Sequence, residues 1–151
     1  EAELSRLRAG HRSGLALIDL DYFKRINDQH GHATGDRVLQ NFVSVARSCL
    51  RDDDVLARYG GEEFVILLPK TEAVGALELA RRISSTIRSF RYKDMSEEQI
   101  TISAGISTFP GNGLQSFTQL VDMANQLMFK AKSEGKDRIA IDEQNTAVNQ
   151  S

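Results

Sequence analysis

Two runs of apolar residues interrupt an otherwise mixed chain, and each predicts a buried β-strand. The first, residues 14–18, contains no polar side chain, which is typical of a central strand covered on both faces. The second, residues 65–68, follows the adjacent glycines Gly60 and Gly61 after a short gap. We expect a β-hairpin there, with the two glycines in a primed turn that requires positive φ.

Three stretches carry apolar residues at helical spacing and predict amphipathic helices. The first opens near Thr34. The second follows Thr71, which we expect to act as its N-cap, and the third begins at a capping box formed by Ser116 and Gln119. The inward positions of the first helix are Val38, Leu39, Phe42, Val45, Ala46, Cys49 and Leu50.

The remaining segments complete an alternating order of elements. Isoleucine and alanine alternate with small or polar residues over 100–107, which predicts a half-buried strand. Residues 22–32 form a short polar segment with a short helix, and residues 139–141 a short last strand. The order favours an α/β (α+β) fold with a mostly antiparallel central sheet flanked by helices, as in palm-like and nucleotidyl-cyclase-like folds.

Composition limits the classes of function. The chain has 151 residues, 40% of them hydrophobic, so we expect one domain with a substantial core. A net charge of −2 gives no general attraction to a nucleic acid polymer or to a membrane surface. A lone cysteine, Cys49, and the lack of a signal-like segment or of an apolar run near 18 residues predict a cytoplasmic location.

The first residues indicate a piece of a longer protein. The chain starts without Met, inside a helix-like sequence. We therefore expect residues 1–13 to be the remnant of an N-terminal helix, 14–141 the catalytic domain and 142–151 a polar tail. Attachment to a sensor domain or a membrane remains open for the full protein.

Acidic residues lie next to both predicted strands, after the first and before the second, at positions that suit nucleotide chemistry. Asp19 ends the first strand, and Glu62 and Glu63 follow the glycine pair. Glycine lets a phosphate approach the backbone, and carboxylates are the ligands that Mg²⁺ takes alongside substrate phosphates. If the first strand lies beside the hairpin, Asp19 and Glu62 meet at one metal. The alternatives are that Asp19 caps the next helix and that the glutamates are solvated strand-edge charges.

Other polar residues allow two interpretations each. Asn27 has the donor and acceptor groups to read a base edge, but Asn-Asp before Gly is also ordinary turn chemistry. His30 and His32 have the spacing of a metal pair without a third ligand nearby. Acids at 52–54 oppose the dipole of the preceding helix, although a solvated loop explains them from composition alone.

Several spaced motifs, taken together, resemble the GGDEF domain, the family of diguanylate cyclases. The hairpin corresponds to the GGEEF variant of the family, and the resemblance runs from about residue 15 to residue 141. The motifs are Asp19-Leu-Asp21-Tyr-Phe23-Lys24, Asn27-Asp28, Gly31-His32, Gly35-Asp36, Arg58-Tyr-Gly-Gly-Glu-Glu-Phe64 and Ala131-Lys132 with Gly135-Lys136.

The resemblance implies condensation of two GTP into cyclic di-GMP with release of two pyrophosphates, by a homodimer in which two domains face each other. It implies that Mg²⁺ or Mn²⁺ is held by Asp19, Glu62 and the Leu20 carbonyl, and that Glu63 assists catalysis. The substrate-binding residues it implies are Tyr22, Phe23, Lys24, Gly60, Gly61, Lys132 and Lys136 for the triphosphate, and Asn27 and Asp36 for guanine.

The resemblance also implies an inhibitory site for the product. Arg51-x-x-Asp54 has the spacing of the family's inhibitory motif, and Arg82 is expected to join it. The sequence departs from the family pattern because the usual segment before the first helix is absent, Lys136 stands where Arg is usual, and Asn125 and Phe129 replace a usual Asp and a usual Tyr. The alternative function is a catalytically silent module that binds GTP or cyclic di-GMP, and metal-dependent turnover separates the two.

Overall fold

The computed structural model describes residues 12–95, 98–110 and 116–142. Most of the predicted N-terminal helix remnant, at 1–11, and of the predicted tail, at 143–151, lies outside the described residues. The described elements follow the predicted order. They are β1 (Ser13–Leu20), α1 (Phe23–His30), α2 (His32–Cys49), β2 (Val55–Arg58), β3 (Glu63–Pro69), α3 (Ala73–Ser89), a 3₁₀ turn (Lys93–Met95), β4 (Ile102–Phe109), α4 (Phe117–Ser133) and β5 (Arg138–Ile141).

The described strands form one sheet in the order β2-β3-β1-β4-β5. Strand β1 is central and runs antiparallel to both β3 and β4, β2 pairs antiparallel with β3, and only the β4–β5 pair is parallel. The predicted mostly antiparallel sheet flanked by helices is confirmed. Because β1 has a neighbour on each side, its carboxyl end lies between the start of β3 and the start of β4.

Helices cover both faces of the sheet and explain the continuous apolar run of β1. Ile18 points into a core built with α1, α2 and α3, which includes Phe42 and Ile83. Leu17 points the other way, into a second core with α4, which includes Met128. All of β1 is therefore buried, as the sequence predicted.

Strand β4 is buried on both faces, so the predicted half-buried strand is wrong. Its serine side chains are small and form hydrogen bonds inside the protein. Ser103 donates a hydrogen bond to Asp21 (2.6 Å) and Ser107 donates one to the Leu120 carbonyl (2.7 Å). Gly105 lets the main chain of α4 approach the strand closely. Small residues that alternate with isoleucine can thus mark a helix-packing face as well as a solvent face.

The hairpin differs from the predicted primed turn. The loop from β2 to β3 spans residues 59–62, and neither Gly60 nor Gly61 has φ in the left-handed region. Instead, the amides of Tyr59 and Gly60 both donate to the Glu63 carbonyl, at 2.8 and 3.1 Å. A loop of this length closes without a primed turn, so the prediction of positive φ is wrong.

Two of the predicted helix starts also need correction. Helix α2 begins at His32, before Thr34. Helix α3 begins at Ala73 with Glu72 at the N-cap, while the Thr71 hydroxyl donates to the Pro69 carbonyl (3.0 Å) and does not cap the helix. The predicted cap of α4 is confirmed, because Ser116 accepts a hydrogen bond from the Gln119 amide (3.1 Å).

Candidate functional site

Asp19 lies at the carboxyl end of β1 and is only 3% exposed. Its register partners are Glu63 on β3 and Ser103 on β4. Its Oδ2 forms an ion pair with Nζ of Lys132 on α4. Within the described residues, its Oδ1 is buried without a hydrogen-bond partner. A buried carboxylate oxygen is costly unless it meets a cation or a donor, so the geometry of Asp19 suits a divalent cation.

The hairpin reaches the same edge of the sheet. The Leu20 amide donates to the Glu62 carbonyl (3.1 Å), which places Glu62 beside the end of β1. Glu62 and Glu63 are both partly buried. Arg58 braces the loop through Nε, which lies 3.2 Å from each of the Gly60 and Gly61 carbonyl oxygens. The loop thus has a defined shape although its two glycines are exposed.

The acidic residues at this edge do not form a dense metal cage. In the part of the chain that the structure describes, no group of three or more His, Cys, Asp or Glu side chains is arranged to hold a metal ion. Mg²⁺ usually binds one or two protein carboxylates together with substrate phosphates. The arrangement at Asp19 and the hairpin agrees with that mode. Of the two histidines that have the spacing of a metal pair, His30 contacts Glu98 (2.8 Å between Nε2 and Oε1).

Two lysines face this edge from the end of α4 and the turn after it. Burial lowers the pKa of Lys132 from its usual range, and the neighbouring charge of Lys136 lowers it further. The Lys136 ammonium lies over the Tyr22 ring, 4.6 Å from its centroid, and the Arg25 guanidinium lies 4.9 Å from the same centroid. Sequence reasoning missed Arg25, although it lies only three residues after Tyr22 and an i, i+3 pair on a helix can make a cation–π contact.

The start of α1 provides backbone donors next to these cations. Tyr22 has φ of 59° at the N-cap and its side chain makes no capping hydrogen bond. The first amides of a helix point outward and favour an anion. The Phe23 side chain packs against the core, so Phe23 can contribute its main chain at this helix start and not its side chain, whereas Lys24 is exposed.

Asn27 and Asp36, the predicted guanine-reading residues, come from packed helices α1 and α2. Gly35 lies directly under the Asn27 carboxamide, and a Cβ there would be 1.8 Å from Asn27 Oδ1. That oxygen is buried without a hydrogen-bond partner among the described residues. Asp36 follows Gly35 in the chain and is exposed. The pair therefore presents an unused amide oxygen and a carboxylate near one helix junction.

Asp21 is a buried acid beside this edge of the sheet to which the sequence analysis assigned no role. It is 3% exposed and its carboxylate accepts hydrogen bonds from Thr101, Ser103 and the Asp137 amide. Its signals in the sequence were its position two residues after Asp19 and its place in the motif that begins with Asp19, and neither assigned it a role.

A second group of predicted residues lines a separate cavity of about 430 Å³. Arg51, Asp54 and Arg82 all line it, and none of its lining residues belongs to the set around Asp19. The Asp54 carboxylate accepts from the Arg51 amide (2.8 Å), and the Arg51 guanidinium donates to the Pro69 carbonyl (3.1 Å) and to Thr71. The Asp54 side chain is 3% exposed and the Arg51 side chain 62% exposed. Asp54 therefore closes the turn, whereas Asp52 and Asp53 are exposed, as expected for a solvated loop.

A family profile described as "Diguanylate cyclase, GGDEF domain" matches residues 1–138. The chain belongs to the GGDEF family. The predicted family resemblance is thereby confirmed. Among solved structures, the active GGEEF domain of a diguanylate cyclase from Vibrio cholerae is similar with a TM-score of 0.82 and 33% identity, over 93% of this chain and 87% of that one. The GGDEF domain of DgcB from Caulobacter crescentus, solved in complex with c-di-GMP, has a TM-score of 0.82 and 30% identity, over 93% and 86%.

Curated relatives of this GGDEF domain are longer proteins. Diguanylate cyclase A of Treponema denticola is 38% identical over 133 residues, which cover 87% of this chain and 35% of that protein. Diguanylate cyclase DgcP of Pseudomonas aeruginosa is 40% identical over 136 residues, which cover 87% of this chain and 20% of the relative. The GGDEF domain therefore spans about a third or less of these proteins. No helix within its described residues is long and apolar enough to cross a membrane.

Proposed function

We propose that this GGDEF domain is a diguanylate cyclase that condenses two GTP into cyclic di-GMP and releases two pyrophosphates. One observation carries the proposal: the buried Asp19 carboxylate, with one oxygen that no described group satisfies, lies beside the Glu62 hairpin and against Lys132. Phosphoryl transfer depends mainly on positioning and on neutralising charge. An edge that combines carboxylates, cations and exposed glycine backbone suits that chemistry.

The reaction is two identical transfers. The 3′-oxygen of one GTP forms a bond to the α-phosphorus of the other, and the bond from that phosphorus to the bridging oxygen of the β-phosphate breaks. The proton of the 3′-hydroxyl passes to solvent. Pyrophosphate leaves. The second transfer, with the roles of the two nucleotides exchanged, closes the ring. The catalytic residues in our proposal are Asp19, Glu62 and Glu63.

A divalent cation, Mg²⁺ or Mn²⁺, fits at Asp19, with Glu62 and the Leu20 carbonyl as further ligands. When bound, such an ion would neutralise phosphate charge as it develops during transfer. The support from this chain is the unsatisfied Oδ1 of Asp19. Lys132, which forms an ion pair with the other oxygen, would contact a phosphate of the bound nucleotide in this proposal.

The other predicted residues hold GTP in this proposal. The main chain at Tyr22, Phe23 and Lys24, the exposed glycines of the hairpin, and Lys132 with Lys136 would bind the triphosphate. Asn27 and Asp36 would read guanine, since a carboxylate accepts from the N1–H and amino groups that adenine does not present together. The unused Asn27 oxygen beside Gly35 supports this assignment.

Each domain holds one GTP in this proposal, so the active form is a homodimer with its two sites facing each other. We take residues 14–141 as the catalytic unit. The predicted consequence is that activity per subunit rises with protein concentration.

The test is mass spectrometry of the products after incubation of concentrated protein with GTP and Mg²⁺. We expect cyclic di-GMP from the wild type, none from Glu62→Gln, and undiminished product from Glu78→Gln, which changes an exposed acid on α3. A fusion to a dimerising coiled coil removes weak assembly as an explanation. No product from the fused wild type would refute the cyclase and favour the silent GTP- or cyclic di-GMP-binding module.

We also propose that cyclic di-GMP binds the cavity lined by Arg51, Asp54 and Arg82 and inhibits the enzyme. Two guanidinium groups and an acceptor in one cavity suit phosphates and guanine edges. Arg51→Ala should relieve inhibition by added product. Arg81→Ala, an exposed neighbour on α3 outside the cavity lining, is the matched control. Unchanged inhibition in Arg51→Ala would exclude this cavity as the inhibitory site.

A further inference from the structure

Asp21 connects three parts of the chain that are far apart in sequence. Its Oδ1 accepts from Ser103 (2.6 Å), and its Oδ2 accepts from the Thr101 hydroxyl (2.7 Å) and from the Asp137 amide (2.9 Å). Its own amide donates to the Thr101 carbonyl (2.9 Å). The end of β1, the start of β4 and the turn before β5 are therefore joined at one buried carboxylate.

The turn that Asp21 holds has an unusual backbone. Lys136 and Asp137 have φ of 65° and 49°, and they follow Gly135 with φ of 124°. Non-glycine residues adopt the left-handed region at a cost and persist there only where their surroundings fix them. Three contacts do so here: the Asp137 amide on Asp21, the Asp137 carboxylate on Arg88, and the Lys136 amide on the Ala131 carbonyl (3.0 Å).

This turn sets where the Lys136 side chain goes. The Lys136 ammonium lies over the ring of Tyr22, the residue directly after Asp21. Asp21 therefore fixes both sides of the contact: its backbone carries the ring and its carboxylate anchors the turn that carries the lysine. Asp21 Oδ1 and Oδ2 both accept hydrogen bonds, which distinguishes this acid from Asp19, whose Oδ1 has no hydrogen-bond partner among the residues that the structure describes.

We propose that Asp21 is a positioning residue for GTP, which acts by holding the turn at Lys136 and Asp137 so that the Lys136 ammonium faces the triphosphate. The inference rests on the proposed function and deepens it, because it assigns a role to an acid that neither binds the metal nor contacts substrate. A purely structural Asp21 would support folding alone. In the positioning role, the affinity of the folded protein for the triphosphate depends on Asp21, and this dependence requires Lys136. In the purely structural role, it does not.

The experiment measures binding of a GTP analogue with an α,β-methylene bridge, which cannot release pyrophosphate, by calorimetry with Mg²⁺ present. Asp21→Ala should weaken binding about tenfold or more, as expected for a misplaced charged contact. Asp21→Asn should restore most of the affinity, since its amide oxygen still accepts from the Asp137 amide and the serine and threonine hydroxyls can rotate. In a Lys136→Ala background, Asp21→Ala should cause no further loss.

Ser107→Ala is the matched control. It removes another buried hydrogen bond of β4, to the Leu120 carbonyl, so it should lower the unfolding midpoint without changing affinity. Should Asp21→Ala not fold, Thr101→Val removes one hydroxyl from the carboxylate and should give a smaller loss that also disappears in Lys136→Ala.

The outcomes separate the inference from the proposed function. Normal affinity in folded Asp21→Ala, or an equal loss in the presence and absence of Lys136, would overturn the positioning role while leaving the cyclase intact. A wild type that does not bind the analogue at all would instead overturn the proposed function, and the positioning role with it.

Discussion

Gly105 offers a sharp test of how α4 is seated on the sheet. It lies in β4, opposite Leu17 of β1, under the main chain of α4. A Cβ at this position would be 2.1 Å from the Ala124 carbonyl oxygen and 2.3 Å from the Met128 nitrogen. Both atoms belong to the helix backbone, so a side-chain rotation cannot relieve the contact. Gly105→Ala therefore forces the helix away from the strand.

The size of the effect follows from these distances. An ordinary Cβ contact begins at 3.4 Å, so the helix backbone must retreat by about 1 Å from a close-packed sheet. Overpacking of this kind costs about 1–3 kcal/mol, and we expect the upper part of that range because backbone must move. For a domain of this size, about 3 kcal/mol lowers the melting temperature by roughly 6–12 °C.

Urea unfolding and thermal melting measure the change, with Gly61→Ala as the control. Among the described residues, a Cβ at Gly61 would have no neighbour within 4 Å, and the φ of Gly61 lies outside the left-handed region. The free energy of unfolding of Gly61→Ala should therefore stay within about 0.5 kcal/mol of the wild type. If Gly105→Ala unfolds at the same urea concentration as the wild type, α4 does not pack on β4 as described, and the placement of Lys132 beside Asp19 loses its support.

Three further predictions concern single side chains. Gly35→Ala should weaken guanine-nucleotide binding, measured by calorimetry, because its Cβ would displace the Asn27 carboxamide; unchanged affinity would contradict that role. Lys132→Met should tighten Mn²⁺ binding without nucleotide, measured by electron paramagnetic resonance, because the ammonium no longer occupies Asp19; equal or weaker binding would argue against competition. Burial raises the pKa of Tyr92 above its ordinary value of 10.0. The protonated Tyr92 therefore contributes fully to stability below about pH 10, and this contribution is lost as pH rises through the folded pKa. Tyr92→Phe should reduce the alkaline fall in the free energy of unfolding, measured by urea titrations. The same fall with pH in the wild type and the variant would contradict this.

The order of elements was predictable because each helix or strand buries an apolar stripe or face, and the spacing of apolar residues in its sequence shows that stripe or face. The unbroken apolar run of β1 and the helical spacing of α2 are local signals, and the structure bears out both. The prediction that β4 is half-buried was wrong for a physical reason. Serine and glycine look like solvent positions in a strand, yet here they make room for α4 and bond inside the protein.

The candidate site, too, was predictable from the sequence only in part. Asp19 and Glu62 were foreseeable as neighbours, since a carboxylate after a buried strand and a glycine hairpin are both local sequence patterns, and strand pairing brings them to one edge of the sheet. Asp21 was not, because its partners lie 80 to 116 residues away along the chain. Sequence spacing predicts contacts within an element, whereas a buried polar junction depends on how distant elements pack.

The central strand explains why these parts depend on one another. Asp19 lies near the end of β1 and Asp21 directly after it. Asp19 contacts Lys132, and Asp21 anchors the turn that carries Lys136. Both cations therefore reach the same edge from α4 and its following turn, and their positions relative to the acids are fixed by how α4 sits on β4. A change that shifts α4, such as Gly105→Ala, should move Lys132 and Lys136 together, whereas a change at Asp21 should release Lys136 alone. The two perturbations thus distinguish seating of the helix from anchoring of the turn.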